Sequence, residues 1–263
     1  EIEADLTALH LSASRGYGTA GTAPFGTAND YTGASYARKI LVDNGSPESD
    51  LHLVVNTAAG ANIRGKQAAV DASGTNSILR QGVLLDINGM MVRESGQIKS
   101  HTAGTGASAT TNNAGYAVGA TTITLASAGT GTILAGDFIS FAGDSEKYLV
   151  VTGDADVSNG GSVVIASPGL RQAIPASATA ITVVGSSARN MVFHRGAIVL
   201  AHRLPALPQG GDAAVDRTVV TDPRSGLSFE ISQYAQYRQM YWEVACAWGV
   251  KVVKTEHVGV LLG

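Results

Sequence analysis

The sequence is poor in cysteine, in charge and in aromatic residues, and each shortage excludes something. With Cys246 as the only cysteine among 263 residues, no intramolecular disulfide framework and no CxxC metal or redox motif can exist. Its strand-like neighbours Trp242, Val244 and Trp248 mark it as a small buried hydrophobe, compatible with a reducing cytosol. Charged residues make up 15% of the chain, well under the roughly one quarter of an average domain. The net charge is −3 with a pI of 6.1, so the basic footprint of sequence-independent nucleic-acid binding is missing. There is no run of about 18 apolar residues and no basic-then-apolar leader. The expectation is a chain that neither spans a membrane nor is secreted, and that matures in the cytoplasm.

What is present is apolar and small. Hydrophobic residues reach 44% and glycine 32 copies, so much of the surface must be Ser, Thr, Ala and Gly, suited to wide, weakly polar contacts with other subunits. The length allows one sizeable core or two smaller ones. Residues 1–15 carry a helical pattern (Ile2, Leu6, Leu9, Ala13) closed by Gly16 and Gly18; Glu1 already lies inside it, so further N-terminal sequence is expected. A small-residue loop over 19–32 leads to a second helix, Ala34 to Asp43, stopped by Asn44-Gly45 and Pro47. Leu51 to Asn56 predicts a strand, Gly65 to Ala72 a helical turn, and Val83 to Arg93 a hairpin on the Asn88-Gly89 turn. Thr102 to Gly119 is a flexible connector. Beyond it five short strands, 121–125, 137–141, 147–152, 162–166 and 180–184, predict a small barrel or sandwich. Residues 189–202 read as a helix and 203–225 as an irregular Pro-containing stretch. Residues 226–234 and 240–248 read as two long strands with alternating faces.

The chemical motifs are weak. Gly60-x-x-x-x-Gly65-Lys66 imitates a phosphate-binding loop, but Gln67 stands where a Ser or Thr hydroxyl must hold Mg²⁺, and the segment reads as a glycine-rich surface turn. Gly129-x-Gly131 opens a strand and is turn chemistry. Asp154-x-Asp156-x-Ser158 begins like a calcium loop, yet Asn159 and Ile165 occupy the positions of the turning glycine and the bidentate glutamate, which leaves a β-turn. His10, His52, His101, His194, His202 and His257 are scattered singly, with His194 and His202 eight residues apart on the expected helix. No nucleophile elbow occurs. No enzyme activity, cofactor or metal is expected.

Several runs resemble one family. They are Ala188-Arg189-Asn190-Met191-Val192-Phe193-His194, Asp216-Arg217, Thr221-Asp222-Pro223-Arg224-Ser225-Gly226-Leu227-Ser228-Phe229-Glu230, Tyr241 to Trp248 and Gly249-Val250-Lys251. Upstream, Tyr17 to Thr22, Leu41 to Pro47, Leu84 to Gly89 and Gly136-Asp137 to Tyr148 extend the likeness. Together these resemble the coat-protein family of the short-tailed Salmonella phage type. The resemblance implies an α+β fold of the Hong Kong 97 capsid type, with a spine helix, a peripheral sheet, an axial domain and an inserted small β-barrel. It assigns 1–32 to the end of the spine helix and a glycine-rich loop, 33–117 to the axial domain and connector, 118–185 to the barrel, and 186–263 to the return to the peripheral domain. The N-terminal arm and extended loop of such proteins are not in these residues. The implied function is a structural capsid protein, forming hexamers and pentamers of a shell around double-stranded DNA held by confinement. Implied partners are other copies of the chain, a scaffolding protein, a portal and a decoration protein, with no membrane, and the implied place is the virion. Candidate subunit contacts are Arg64, Lys66 and Arg80 in the polar loop, and Asp212, Asp216 and Arg217. Alternatives are a nanocompartment shell of the same fold and a β-rich adhesin or binding module.

Overall fold

The computed structural model describes residues 1–28, 30–67 and 81–263. Arg80 and most of the expected Gly65–Ala72 turn lie outside them. The chain is mixed α+β and mostly sheet, in two compact units: a body of Glu3–Ile198 with Val252–Gly263, and a smaller unit, Val199–Lys251.

In the body, helix α1 (Ile2–Ala8) runs into a 3-10 turn, Leu9–Ser12, and then strand β1 (Arg15–Gly18). The helix is thus shorter than its periodicity suggests, and the two glycines taken as its stop belong to a strand. Gly16 is there because the ring of Phe138 needs its space. Helix α2 (Thr32–Asp43) ends as expected: Gly45 takes φ 79°, and Ser46 N returns to the Leu41 carbonyl at 3.0 Å. Strand β2 (Leu51–Val55) buries Leu51, Leu53 and Val55 on alternate positions against Ala37 and Leu41 of α2 and Ala59 and Ile63 of α3 (Thr57–Lys66). The Asn56 side chain caps α3 by accepting from Ala59 N at 2.9 Å. This helix corrects the reading of Gly60–Lys66 as a surface turn. Gly60 packs where a Cβ would meet the Glu94 side chain at 2.7 Å.

The expected hairpin is half present. Asn88 and Gly89 adopt φ 52° and 73°, and Ile87 and Met90 exchange both backbone bonds. Residues 83–86, however, form no strand. Strand β3 (Met90–Glu94) instead pairs in parallel with β2, and β4 (Ser100–His101) follows it.

Strands β5 (Thr122–Leu125), β6 (Phe138–Phe141), β7 (Lys147–Thr152), β8 (Gly161–Ile165) and β9 (Ile181–Val183) match the five expected short strands to within a residue or two. They hydrogen-bond in the order β5-β8-β7-β6-β9, and the connector bridges both edges, Thr110 to Ala180 and Thr111 to Leu125. Their inner faces make one core of Ile123, Ile139, Phe141, Tyr148, Val150, Val163 and Ile165 among others.

The expected helix at 189–202 is wrong. The segment is strand β10 (Ser187–His194), a single 3-10 turn, and strand β11 (Ile198–Arg203). β10 lies mid-sheet between β2 and the last strand, β16 (Val258–Leu262), and is buried on both faces, Val192 in one core cluster and Met191 in another, so the period-two alternation disappears. The main sheet runs β3-β2-β10-β16-β1-β7-β6-β9, with β1 parallel to β16 and antiparallel to β7, so the short-strand region is continuous with it.

The smaller unit holds β12 (Ala214–Thr221), β13 (Ser228–Gln236) and β14 (Gln239–Ala245) as an antiparallel three-stranded sheet, beside a two-stranded pair of β11 with β15 (Ala247–Val252). β12 was expected to be irregular; β13 and β14 were expected as strands.

Candidate functional site

The three-stranded sheet is amphipathic by register. Phe229, Ile231 and Ala235 of β13 pair with Val220 and Thr218 on one side and with Val244 and Met240 on the other, and Trp242 sits opposite Gln233. Paired residues of antiparallel strands point the same way, so all of these share one face. That face is open on its β14 side, where Trp242 is 60% exposed and Val244 65%, while Phe229 is half-buried and meets the His202 ring edge-on at 6.3 Å. A three-stranded sheet with one uncovered apolar face is marginal by itself and carries the character of a binding surface.

The opposite face carries a polar network tied to itself, beside the exposed Val219 and Tyr241. Arg217 pairs with Glu230 (Nε to Oε1, 3.1 Å) and with Asp212, and its Nε donates to Ser232 Oγ at 3.2 Å. Tyr234 donates its hydroxyl to Asp212 at 3.1 Å. The Ala214 amide, the Tyr234 hydroxyl and the Arg217 guanidinium hold the Asp212 carboxyl below the usual carboxylate range. Asp216 accepts from the Arg217 amide at 2.8 Å and stays exposed on the apolar face, level with Trp242.

The structure thus joins Asp212 to Arg217 and leaves Asp216 beside them. In the body, Arg64 donates to Glu94 and, through Nε, to the Gly82 carbonyl at 3.1 Å. Lys66 donates to the Asp30 carbonyl with its ammonium 4.5 Å over the Tyr31 ring. Both side chains brace the fold. Sequence reasoning missed the apolar face as a site because β12 went unread, although Val219-Val220-Thr221 is a β-branched run.

Other expected chemistry is placed as follows. Asp154 and Asp156 accept from the amides of Asp156 and Ser158 at 2.8 and 3.0 Å, which is turn geometry. Cys246 is free and half-buried. The His194 and His257 rings meet edge-on at 6.2 Å. Among the described residues, no group of three or more His, Cys, Asp or Glu is placed to hold a metal ion, and no helix is long and apolar enough to cross a membrane.

No family model and no curated protein matches the chain. Among solved structures it is similar to a chain from Mycobacterium phage Che8, at 12% identity and a TM-score of 0.45, over 99% of this chain and 57% of that one. The chain therefore spans a little over half the length of that protein.

Proposed function

We propose that the chain is the major coat protein of a tailed double-stranded DNA phage and acts by assembly into hexamers and pentamers of an icosahedral head, without catalysis. The observation that carries this reading is the β12–β13–β14 sheet, whose Asp212–Arg217–Glu230–Tyr234 network is satisfied internally while Val220, Met240, Trp242 and Val244 are exposed together on the other face. The family-like runs at 188–194, 216–217, 221–230 and 241–251 and the low charge support it. On this reading the fold is of the Hong Kong 97 type. Residues 33–117 form its axial domain, 118–185 an inserted barrel closed by Thr110–Thr111, and 186–263 the return to the peripheral domain. Scaffolding, portal and decoration proteins would be its partners, and the virion its destination.

Electron microscopy of particles from the complete gene, expressed alone and with its neighbouring genes, tests it. Closed shells of uniform diameter built from hexamers and pentamers are expected. A discrete monomer or small oligomer under every condition overturns the reading, and shells filled with a protein cargo move it to a nanocompartment.

A further inference from the structure

The β12–β13–β14 sheet ends in two free edges, and the two are not alike. Among the described residues β12 and β14 each hydrogen-bond to β13 alone, so each leaves a row of backbone N–H and C=O groups on its outer side. Edge strands are ordinarily blunted by a bulge, a proline or charge. β12 carries two of these devices: its register with β13 slips between Ala214 and Asp216, and the charges of Asp216 and Arg217 follow at once. β14 has neither bulge nor proline. Its register with β13 is unbroken from Gln239 to Ala245, and Glu243 is its one charged residue. It is also exposed on both faces, through Met240, Trp242 and Val244 on one and Tyr241 and Glu243 on the other.

The order of residues along β14 is self-complementary. Two copies of one strand paired antiparallel about a two-fold axis normal to the sheet keep every residue on its own face, and oppose residues equally spaced on either side of the axis. Trp242 is the middle residue of β14, and with the axis there all seven residues find a partner. On the apolar face Met240 then opposes Val244, and Trp242 opposes its own counterpart. On the other face Tyr241 opposes Glu243, a phenol donor against a carboxylate. An axis at Glu243 would oppose two carboxylates, and one at Tyr241 would leave Val244 and Ala245 without partners. β12 has no equivalent solution: about Arg217 it opposes two guanidinium groups, and about Thr218 it sets Asp216 against Val220.

We propose that the outer edge of β14 is a contact between copies of the chain, pairing antiparallel with β14 of a second copy across a two-fold axis at Trp242. The occupant is a second copy because the match lies within the strand itself, which supplies both sides. Main-chain bonds hold the pair, and the side-chain order fixes its register. The two sheets become one, and the apolar face runs through the join from Val220 of one copy to Val220 of the other. The proposal rests on the assembly reading for its second copy and adds the strand, the register and the symmetry.

Disulfide cross-linking of the full chain tests it, in a Cys246→Ser background so that the introduced thiol is the only one. Facing Cα atoms of an antiparallel pair are about 4.5–5.5 Å apart, within reach of a disulfide. Under a mild oxidant, Trp242→Cys is expected to cross-link to itself. A mixture of Met240→Cys and Val244→Cys chains should give the mixed dimer, while Val244→Cys alone should not react, its counterpart being about 14 Å along the strand. The mixed pair keeps Trp242, so it reads the register even where Trp242→Cys weakens the contact. Closed shells that carry neither cross-link overturn the pairing and leave the coat-protein reading standing. Cross-linked dimers that never progress to shells support the pairing and overturn that reading, and a chain that stays monomeric and uncross-linked overturns both. Self-reaction of Val244→Cys as readily as Trp242→Cys overturns the register.

Discussion

The ring of Phe138 occupies the space a side chain at position 16 needs: a Cβ built on Gly16 would lie 2.8 Å from its Cε1. The same ring has the Arg189 guanidinium 4.7 Å from its centroid, so it has little room to move. Gly16→Ala is therefore expected to cost about 1–3 kcal/mol by overpacking. Urea midpoints would show it, and Phe138→Leu in the same chain should restore part of the loss.

Arg15 is 1% exposed and pairs with Glu146 at 2.7 Å, with further bonds to Asn44 Oδ1 at 3.0 Å and the Ile40 carbonyl at 3.4 Å. Glu146→Ala leaves this buried cation only the longer pairing with Asp43, at 4.0 Å, and should destabilise by about 3 kcal/mol. Arg15→Met should cost less than that, since it removes the charge itself. Equal losses in the two thermal melts would contradict the argument.

Asp137 accepts from three donors on two segments, and Asp137→Ala strands the Leu134 and Gly104 amides together with the His101 ring. A loss of about 3 kcal/mol or more is expected, with Asp137→Asn intermediate because its amide presents a donor where donors already point. Chemical denaturation distinguishes the two.

Trp242 and Val244 touch water in the isolated chain, so Trp242→Ser with Val244→Ser should leave its own stability within about 1 kcal/mol. If the face is an assembly surface, the double variant should fail to form closed particles under conditions where the unmodified chain does, as read by sedimentation.

Burial is the first cause that lowers the pKa of His10, His52 and His257. Each takes up its proton at a lower pH in the folded chain than in the unfolded one, where the ordinary 6.5 applies. The unfolded state thus binds more protons at mildly acidic pH, so equilibrium stability should be full above 6.5 and fall as the pH drops below it. Denaturation midpoints measured on either side of neutrality give the sign directly.

How far the sequence could be read depended on how each strand is buried. β5–β9 were legible because turn signals such as Ser158-Asn159-Gly160-Gly161 separate short β-branched runs. β13 and β14 were legible because each has one apolar face. β10 was not: Met191, Val192 and Phe193 are packed from both sides, so no alternation survives, and the Arg, Met, Ala and Leu content of 189–202 favours a helix. β1 hid behind two glycines that look like a helix stop. At the candidate site, Asp212 and Arg217 could be named in advance, but the register that puts Val220 beside Phe229 and Ile231 beside Val244 is a non-local fact that needs the fold. The buried charges Arg15 and Arg189 were invisible for the opposite reason, since arginine in a sequence reads as surface.

The segment 199–251 leaves the body after Ile198 and returns at Val252, and immediately inside that point Val253 N donates to the Ala197 carbonyl at 2.8 Å. The two crossing chains are therefore fastened to each other at the doorway, whatever lies beyond it. Loop-closure entropy grows only slowly with length once the ends are pinned, so the segment behaves as a cassette. Shortening it to a tight hairpin, or grafting a foreign domain in its place, should leave the threading of β10 and β16 untouched.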